Sequence, residues 1–259
     1  MKKLILFFSL LIFNYSFSIA SVRYVSHQGS NTPPYLTWET AADSIMSAVN
    51  ISSFGDTIYV ANGVYEEQVV MIPGLSLIGA GMDSCVIDTR ALVNAQEFIS
   101  VEVKDSCLLK GFHIIVYNNT EMGFGIGGGG GNSTLITLNK VTNASMGLFI
   151  DASWFGIADM VVYKNICENV HLGIGLFNSN SLIRKNTIYT DLQFRGIDIG
   201  AYDYFYTPHI DSNYIVAGDE GISMVFGTKA TISNNLIFLL GNSQVMQNII
   251  KVAERRDFP

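Results

Sequence analysis

Charged residues are scarce in this 259-residue sequence, in which Asp, Glu, Lys and Arg together make up only 14%. The 22 acidic residues outnumber the 15 basic ones, and hydrophobic residues account for 49% of the chain. Low charge combined with this hydrophobicity excludes an intrinsically disordered protein. The acidic excess argues against a protein that binds nucleic acid by neutralising phosphates. The length fits one domain, or two at most.

Cysteine is also rare, with 3 residues, and no C-x-x-C motif is present. The sequence therefore indicates neither a zinc site nor a dithiol redox site. Cys85 and Cys107 each follow Asp-Ser and precede two aliphatic residues. They are predicted to stack as small buried thiols or to form a bridge, and we favour stacking because free cysteine is commonly buried. Cys167 stands alone.

The N-terminus has the three-part pattern of a secretory signal peptide. Two lysines precede an apolar stretch over 4–13, and small residues end at Ala20. The apolar stretch is about half of the roughly 20 residues that a membrane-spanning helix needs. We therefore expect 1–20 to be removed and 21–259 to be secreted, extracellular or periplasmic, without membrane insertion.

A repeated motif runs through the second half of the chain. It has the form aliphatic-x-x-Asn-x-apolar, and a glycine followed by alternating aliphatic residues comes after four of its five copies. Alternation with a period of two is typical of a strand with one buried face. Short strands at a spacing of 21 to 27 residues indicate a solenoid. The repeated residues are Asn139, Asn165, Asn186, Asn213 and Asn235, with Gly147, Gly173, Gly196 and Gly221.

The residue types decide which solenoid this is. Leucine-rich, ankyrin and tetratricopeptide repeats need helices or a fixed leucine spacing, and the repeated segments have neither. Strands of β-branched and aromatic residues separated by Asn and Gly predict an all-β fold, the parallel β-helix. Asparagines stacked about 4.8 Å apart can hydrogen-bond along the axis, so we interpret them as a structural ladder.

Weaker copies of the repeat reach toward the N-terminus and predict about seven coils over 75–240. Ahead of them, apolar residues recur at helical spacing over 37–49, starting at Trp38, and Thr37 is a suitable N-cap. We expect this short helix to cap the solenoid, whose open end otherwise exposes apolar core and a strand edge.

Three segments carry a resemblance to a known superfamily: YVSHQGS at 24–30, GDTIYVANGVYE at 55–66 and KGFHII at 110–115. With the asparagine coils, they resemble exported right-handed parallel β-helix proteins of the pectate-lyase-like superfamily. The resemblance covers nearly all of the chain after residue 20. It implies a fold but no single activity, because this fold hosts lyases, hydrolases, epimerases and proteins without catalysis.

The signatures of the pectin-cleaving members are absent. The sequence contains neither the Arg-x-Pro-x-x-Arg motif of pectate lyases nor the Asn-x-Asp, Asp-Asp, Gly-His-Gly and Arg-x-Lys set of polygalacturonases. Neither mechanism can therefore be carried over to residues of this chain.

One face of the predicted coils carries candidate catalytic residues. Strand alternation places the residue before each shared glycine, and the second residue after it, on the outside. This brings Arg195, Asp198 and Glu220 together as a candidate acid/base cluster, with His171 and Asp219 one position further back. The other interpretation is a solvated, non-catalytic face.

Two coils contain extra residues just after the shared strand, at 151–156 and 201–208. With one short coil between them, these loops are predicted to flank a trough about 10 Å wide. Aromatic walls with polar groups between them suit sugar rings, whereas the alternative is that the aromatic residues only cover the side of the coil. The predicted substrate-binding residues are Trp154, His171, Tyr202 and Tyr204, with Phe177 and Asn178 in the floor.

Other motifs are weaker. The segment 123–128 matches G-x-G-x-x-G but lacks a βαβ context, and the glycine run at 127–131 is predicted to be a flexible loop. Asp198, Asp203 and Asp211 have oxygen ligands of the kind calcium takes, but they follow no fixed loop spacing. The metal and cofactor requirement therefore stays open.

The leading hypothesis is that the chain binds or processes an extracellular polysaccharide or surface glycan on the side of the β-helix, as a lyase or hydrolase if it is an enzyme. The alternative is a non-catalytic structural or adhesive solenoid. The C-terminal segment after residue 237 departs from the repeat without an obvious cap. This indicates a coil that ends abruptly or a truncated relative of a longer protein.

Overall fold

The computed structural model describes residues 20–92, 98–116, 123–128, 132–152, 159–200, 206–225, 228–240, 244–247 and 250–252. The predicted signal peptide lies outside these ranges except for Ala20. Across the described ranges, no helix is both long enough and apolar enough to cross a bilayer.

Short strands make up nearly all of the described structure, together with one helix, α1 (Ile45–Val49). The strands are β1 (Val22–Val25), β2 (Thr57–Val60), β3 (Gly63–Tyr65), β4 (Val69–Val70), β5 (Ser76–Gly79), β6 (Cys85–Asp88), β7 (Phe98–Glu102), β8 (Leu108–Lys110), β9 (His113–Ile115), β10 (Gly123–Gly128), β11 (Asn132–Thr137), β12 (Lys140–Asp151), β13 (Asp159–Tyr163), β14 (Ile166–Phe177), β15 (Leu182–Arg184), β16 (Thr187–Gly200), β17 (His209–Asp211), β18 (Tyr214–Ala217), β19 (Ile222–Val225), β20 (Thr231–Ser233), β21 (Leu236–Leu239), β22 (Gln244–Gln247) and β23 (Ile250–Val252).

The strands stack in parallel into three faces of a β-helix. Sheet 1 has the order β1-β2-β5-β8-β11-β13-β15-β17-β20. The long strands β12, β14 and β16 bend around a corner, so that their first halves pair in sheet 2 with β9 and β18. Their second halves pair in sheet 3 with β10 and β19. Each coil therefore passes from sheet 1 to sheet 2 and then to sheet 3.

The core is filled by aliphatic side chains that occupy the same place in successive coils. Their complete burial is the main favourable contribution to the fold, at roughly 25 cal/mol per Å² of apolar surface. This confirms the alternation expected from the sequence. The aligned buried residues include Val162, Ile183 and Ile210 in sheet 1, Cys167, Ile188 and Ile215 in sheet 2, and Ile174, Ile197 and Ile222 in sheet 3.

The asparagine ladder is confirmed. Asn186 Oδ1 accepts from the backbone N of Asn165 at 2.9 Å and from its Nδ2 at 3.2 Å. Asn186 Nδ2 in turn donates to the Val162 carbonyl at 2.9 Å and to Asn213 Oδ1 at 3.1 Å. The same bonds recur from Asn139 to Asn235, so each buried amide satisfies backbone groups at the turn between sheets 1 and 2.

The repeated glycine lies where sheet 2 turns into sheet 3. A Cβ on Gly173 would lie 2.3 Å from Cγ2 of Ile188 and 2.5 Å from the carbonyl oxygen of Gly196. The same close approach recurs at Gly125, Gly147, Gly196 and Gly221, so these coils require glycine at the corner.

The predicted capping helix over 37–49 is shorter in the structure. It spans only Ile45–Val49, and its N-cap is Ser44 rather than Thr37. The carboxylate of Glu67 also accepts hydrogen bonds from the first backbone N–H groups of the helix. The preceding residues instead hydrogen-bond to the 30–32 loop, and this leaves Trp38 outside the helix and exposed.

The stacking begins before the predicted first coil at residue 75. β1 already pairs with β2, and β2 pairs with β5. The segment Gly123–Gly128 is strand β10 between β7 and β12, so the expectation of a loop beginning at Gly127 was wrong for Gly127 and Gly128. The glycines fit this strand because neighbouring side chains fill the space beside it; a Cβ on Gly125 would lie 2.2 Å from Val141.

All three cysteines are free and buried. Cys85 lies at the start of β6 in sheet 2, whereas Cys107 directly precedes β8 in sheet 1. They therefore neither stack on each other nor form a bridge, because their similar local sequences enter different faces of the β-helix. Near the C-terminal end, β22 pairs antiparallel with β21 and departs from the parallel stack.

Candidate functional site

A cavity of about 350 Å³ opens at the corner between sheets 2 and 3. The side chains that line it come from neighbouring coils, which places residues distant in sequence beside one another. Its polar and aromatic lining includes His171, Gln193, Phe194, Arg195, Asp198 and Asp219.

The strand register places the outward positions as the sequence predicts. Leu172 is aligned with Arg195. Three residues further along these strands, Gly175 is aligned with Asp198, and Asp198 is aligned with Ser223 of the next coil. Asp198 reaches the outer surface by alternation with the buried Ile197 and Ile199. Arg195 also faces outward because the strand turns at Gly196, where the alternation is interrupted by two consecutive buried residues, Gly196 and Ile197.

The structure brings the three predicted catalytic residues into one cluster. Arg195 Nη1 lies 3.2 Å from Oδ2 of Asp198, and Arg195 Nε lies 3.3 Å from Oε2 of Glu220 on the next coil. The carboxylate side chains are only 14% and 10% exposed, whereas that of Arg195 is 41% exposed. One accessible guanidinium thus holds two largely buried carboxylates.

Asp198 has an incompletely satisfied carboxylate. Its Oδ1 is buried and has no hydrogen-bond partner among the described residues. Burial raises the pKa of Asp198, and the charge of Arg195 and a hydrogen bond with Ser223 oppose this shift only in part. The carboxyl group therefore keeps its proton to a higher pH than an exposed aspartate does.

An aromatic platform forms one wall of the cavity. The ring of Phe194 stacks on His171, with 4.1 Å between centroids and 16° between planes. A local excursion of β16 positions it: the Phe194 carbonyl accepts hydrogen bonds from the Thr190 hydroxyl at 3.2 Å and from the backbone N–H groups of Gly218 and Asp219 at 3.2 and 3.0 Å.

Sequence reasoning missed Gln193 and Phe194 as lining residues. The signal was present in the repeat, because Asn186 and Gly196 are ten positions apart whereas the other Asn-to-Gly distances are eight. Two extra residues thus enter the coil ahead of the shared glycine, and the pairing of β14 with β16 is irregular there. The sequence prediction of a site used only the extra residues after the strands, at 151–156 and 201–208.

The predicted trough is described only in part. Trp154, Tyr202, Tyr204 and most of both loops lie outside the described residues. The floor prediction was wrong for Asn178, which is buried and donates its backbone N–H to the carbonyl of Gly200. Phe177 lies beside Phe149, with 6.0 Å between ring centroids, and is not part of the cavity lining. His171 lines the cavity, whereas its predicted place in the floor of the trough stays a prediction.

The aspartates considered for calcium are not brought together. Asp198 is in sheet 3, whereas Asp211 pairs with Arg184 at 2.9 Å in sheet 1, and Asp203 lies outside the described residues. Among the residues that the structure describes, no group of three or more His, Cys, Asp or Glu side chains is placed to hold a metal ion.

No protein-family model and no curated protein matches the sequence. Among solved structures, pectin methylesterase from carrot superposes with a TM-score of 0.51 at 13% identity, over 93% of this chain and 90% of that one. The two chains share the parallel β-helix fold. The A-module of the mannuronan C-5 epimerase AlgE4 from Azotobacter vinelandii gives a TM-score of 0.41 at 14% identity, over 70% and 68% of the two chains. At 13% identity the likeness to the carrot enzyme concerns the fold, and activity has to be argued from the site.

Proposed function

We propose that this protein is exported, binds a neutral polysaccharide in the cavity beside Arg195 and cleaves it with Asp198 as the proton donor. The cavity of about 350 Å³ has the size of a ligand site. The stacked rings of His171 and Phe194 offer a flat surface to the apolar face of a sugar, and Gln193 and Arg195 can hydrogen-bond to its hydroxyl groups.

The charge at the site favours a neutral substrate. A single guanidinium, that of Arg195, faces the carboxyl groups of Asp198 and Glu220, and Asp219 lines the same cavity. When these groups are ionised the site is net negative, so it repels a polyuronate that brings no cation.

The observation that carries the catalytic part is the buried, unpartnered Oδ1 of Asp198. A carboxyl group whose pKa is raised by burial keeps its proton to a higher pH, and because Asp198 lines the cavity it can donate that proton to the glycosidic oxygen as the C–O bond breaks. Water adds to the sugar carbon that loses the glycosidic oxygen, and Glu220, held by the same guanidinium, is the second carboxylate, which takes the proton of that water.

The proposal is tested on the chain from residue 21, first on a glycan array with and without calcium. Reducing-end and ultraviolet-absorbance assays are then run on every glycan that binds. Binding of a neutral glycan with new reducing ends supports the proposal. Calcium-dependent binding of a polyuronate with an ultraviolet-absorbing product overturns the neutral-substrate assignment and indicates a lyase.

Binding without turnover would leave a recognition module, and no binding would favour the structural or adhesive solenoid. The decisive variant is Asp198→Asn, which keeps the shape of the side chain but cannot donate the carboxyl proton. Its matched control is Asp211→Asn, which alters another Arg–Asp pair on the opposite side of the β-helix. We expect Asp198→Asn to lose at least a hundredfold in turnover, the usual scale of a general acid, and Asp211→Asn to retain it.

A further inference from the structure

We propose a second carbohydrate site, independent of the cavity at Arg195, around Trp38 at the N-terminal end of sheet 1. A separate concavity of about 510 Å³ lies there. It lies at the C-terminal ends of β1, β2 and β5, the first three strands of sheet 1, away from sheet 3. Its lining includes Ser26, Gln28, Trp38, Glu39, Ala61 and Asn62.

An exposed aromatic cluster borders this concavity. Trp38 is 47% exposed and its ring packs against Tyr24, with 4.5 Å between centroids. Tyr24 also stacks with Tyr59 of the next coil at 6.1 Å and 25°, and Tyr59 is 40% exposed. Three contacting aromatic rings beside a polar recess suit the apolar face of a pyranose ring, with hydroxyl groups directed into the recess.

The floor of the concavity is made of small side chains. Ser26 and Ala61 directly follow Val25 and Val60, which are aligned in register, and Ala80 continues the floor after β5. The floor therefore extends along the axis over two strand spacings, about 10 Å. Small residues at successive coils leave room for a ring that lies parallel to the axis.

Polar groups of both hydrogen-bonding types surround the recess. The Ser84 hydroxyl donates to Asn62 Oδ1 at 2.7 Å, which orients the amide and leaves Nδ2 to donate. The carboxylate of Glu39 accepts, and Gln28 does both. Since sugar hydroxyls donate and accept, this set is complementary to them. Among the described residues that line the recess, Glu39 alone carries a charged side chain, so a neutral sugar is favoured over a uronate.

The segment that carries Trp38 is ordered before any ligand binds. Ser30 N donates to the Glu39 carbonyl at 2.9 Å, and Thr32 N donates to the Thr40 carbonyl at 3.1 Å. The hydroxyl groups of Thr37 and Thr40 lie 3.1 Å apart. A binding loop that is already held in place loses little conformational entropy when it meets its ligand.

The site is tested by fluorescence because the chain contains only 2 tryptophans. In Trp154→Phe, Trp38 is the single reporter. The probes are cellohexaose, mannohexaose and xylohexaose, with hexagalacturonate as the acidic comparison. We expect a saturable change in Trp38 emission with at least one neutral probe and none with hexagalacturonate. No change with any neutral probe at millimolar concentration overturns the proposal.

Calorimetric titration of that probe against further variants locates the binding. We expect Trp38→Ala and Asn62→Ala each to weaken it about tenfold or more, whereas Tyr189→Ala, an exposed aromatic residue on sheet 2, leaves it unchanged. Asn62 is exposed, so Asn62→Ala reports on the site even if Trp38→Ala disturbs folding. Unaltered affinity in both variants overturns the proposal. Asp198→Asn separates the two sites, because it removes turnover without changing this affinity.

Discussion

The ring of Phe194 lies nearly parallel to the imidazole of His171 on the neighbouring coil, with 4.1 Å between their centroids. The contact depends on the two extra residues that β16 contains ahead of Gly196. The excursion brings an aromatic face to the rim of the cavity in which Arg195 and Asp198 meet. The two extra residues therefore form one wall of the cavity, and the longer Asn186-to-Gly196 spacing marks this coil in the sequence.

Phe194→Ala should weaken glycan binding at this cavity by about tenfold, because it removes an aromatic surface and frees the His171 ring. The measurement is a calorimetric titration with the glycan found on the array. Tyr189→Ala, which removes an exposed ring from sheet 2, is the control and should bind as the parent does. Equal affinity for parent and Phe194→Ala would place the sugar elsewhere.

Asp198→Asn should stabilise the protein increasingly as pH rises. Burial raises the pKa of Asp198, so its stabilising contribution is complete below the ordinary value of 3.8 and is lost as pH rises through the folded-state pKa. Asparagine has no proton to lose there. Urea unfolding at pH 4 and pH 8 measures the change.

Asp211→Asn provides a control of opposite sign. Hydrogen bonds from Asn234 and Ser233 lower the pKa of Asp211, so its contribution is present above 3.8 and is lost as pH falls through the folded-state value. This substitution should destabilise at pH 8 and have less effect at low pH. Parallel pH profiles for the two variants would contradict the assignment of the shifts.

Asn186→Ala should lower the free energy of unfolding by about 3 kcal/mol or more, because the buried amide makes hydrogen bonds to both neighbouring coils that water cannot replace. Urea denaturation followed by circular dichroism is the measurement. Asn180→Ala, which changes an exposed asparagine bonded to the backbone N of Thr207, should lose about 1 kcal/mol or less. A comparable loss of unfolding free energy in both variants would show that the asparagine ladder does not stabilise the fold more than an exposed asparagine does.

Gly173→Ala should destabilise the fold by about 2 kcal/mol, since its Cβ meets Ile188 at 2.3 Å and the Gly196 carbonyl oxygen at 2.5 Å. Gly175→Ala is the comparison on the same strand. The nearest atom to its Cβ is Cε2 of Phe177 at 3.2 Å, and that side chain has more freedom to move than the backbone. Thermal unfolding should show a clearly larger loss for Gly173→Ala.

The thiols should be unreactive in the folded protein. Burial raises the pKa of Cys85 to about 11 and that of Cys167 to about 12, so little thiolate exists at neutral pH. Titration with a thiol reagent should label the cysteines rapidly in urea and slowly in buffer. Fast labelling of the native chain would show that these positions open to solvent.

The architecture could be predicted because its requirements recur in every coil. The amide of Asn186 hydrogen-bonds to the next coil, and Gly173 leaves room for the next coil to approach. Neighbouring coils impose the same two requirements on each other, so the same residues recur in the sequence. The helix at 37–49 was predicted too long because it rested on apolar spacing and on Thr37 as an N-cap, which are both local signals. The structure shows hydrogen bonds of the 39–41 segment to the 30–32 loop, which place Trp38 at the surface.

The sequence by itself determined the parallel β-helix, its asparagine ladder and the neighbourhood of Arg195, Asp198 and Glu220, since these follow from residues that recur at fixed places in successive coils. Only the tertiary structure decided which atoms of Asp198 and Glu220 pair with the guanidinium of Arg195, that Phe194 covers His171 and that one oxygen of Asp198 is buried without a partner among the described residues. These contacts depend on the register of one coil on the next and on the path of the two extra residues ahead of Gly196. The spacing of the repeat reveals that insertion, but its conformation is fixed only by the contacts with the neighbouring coils.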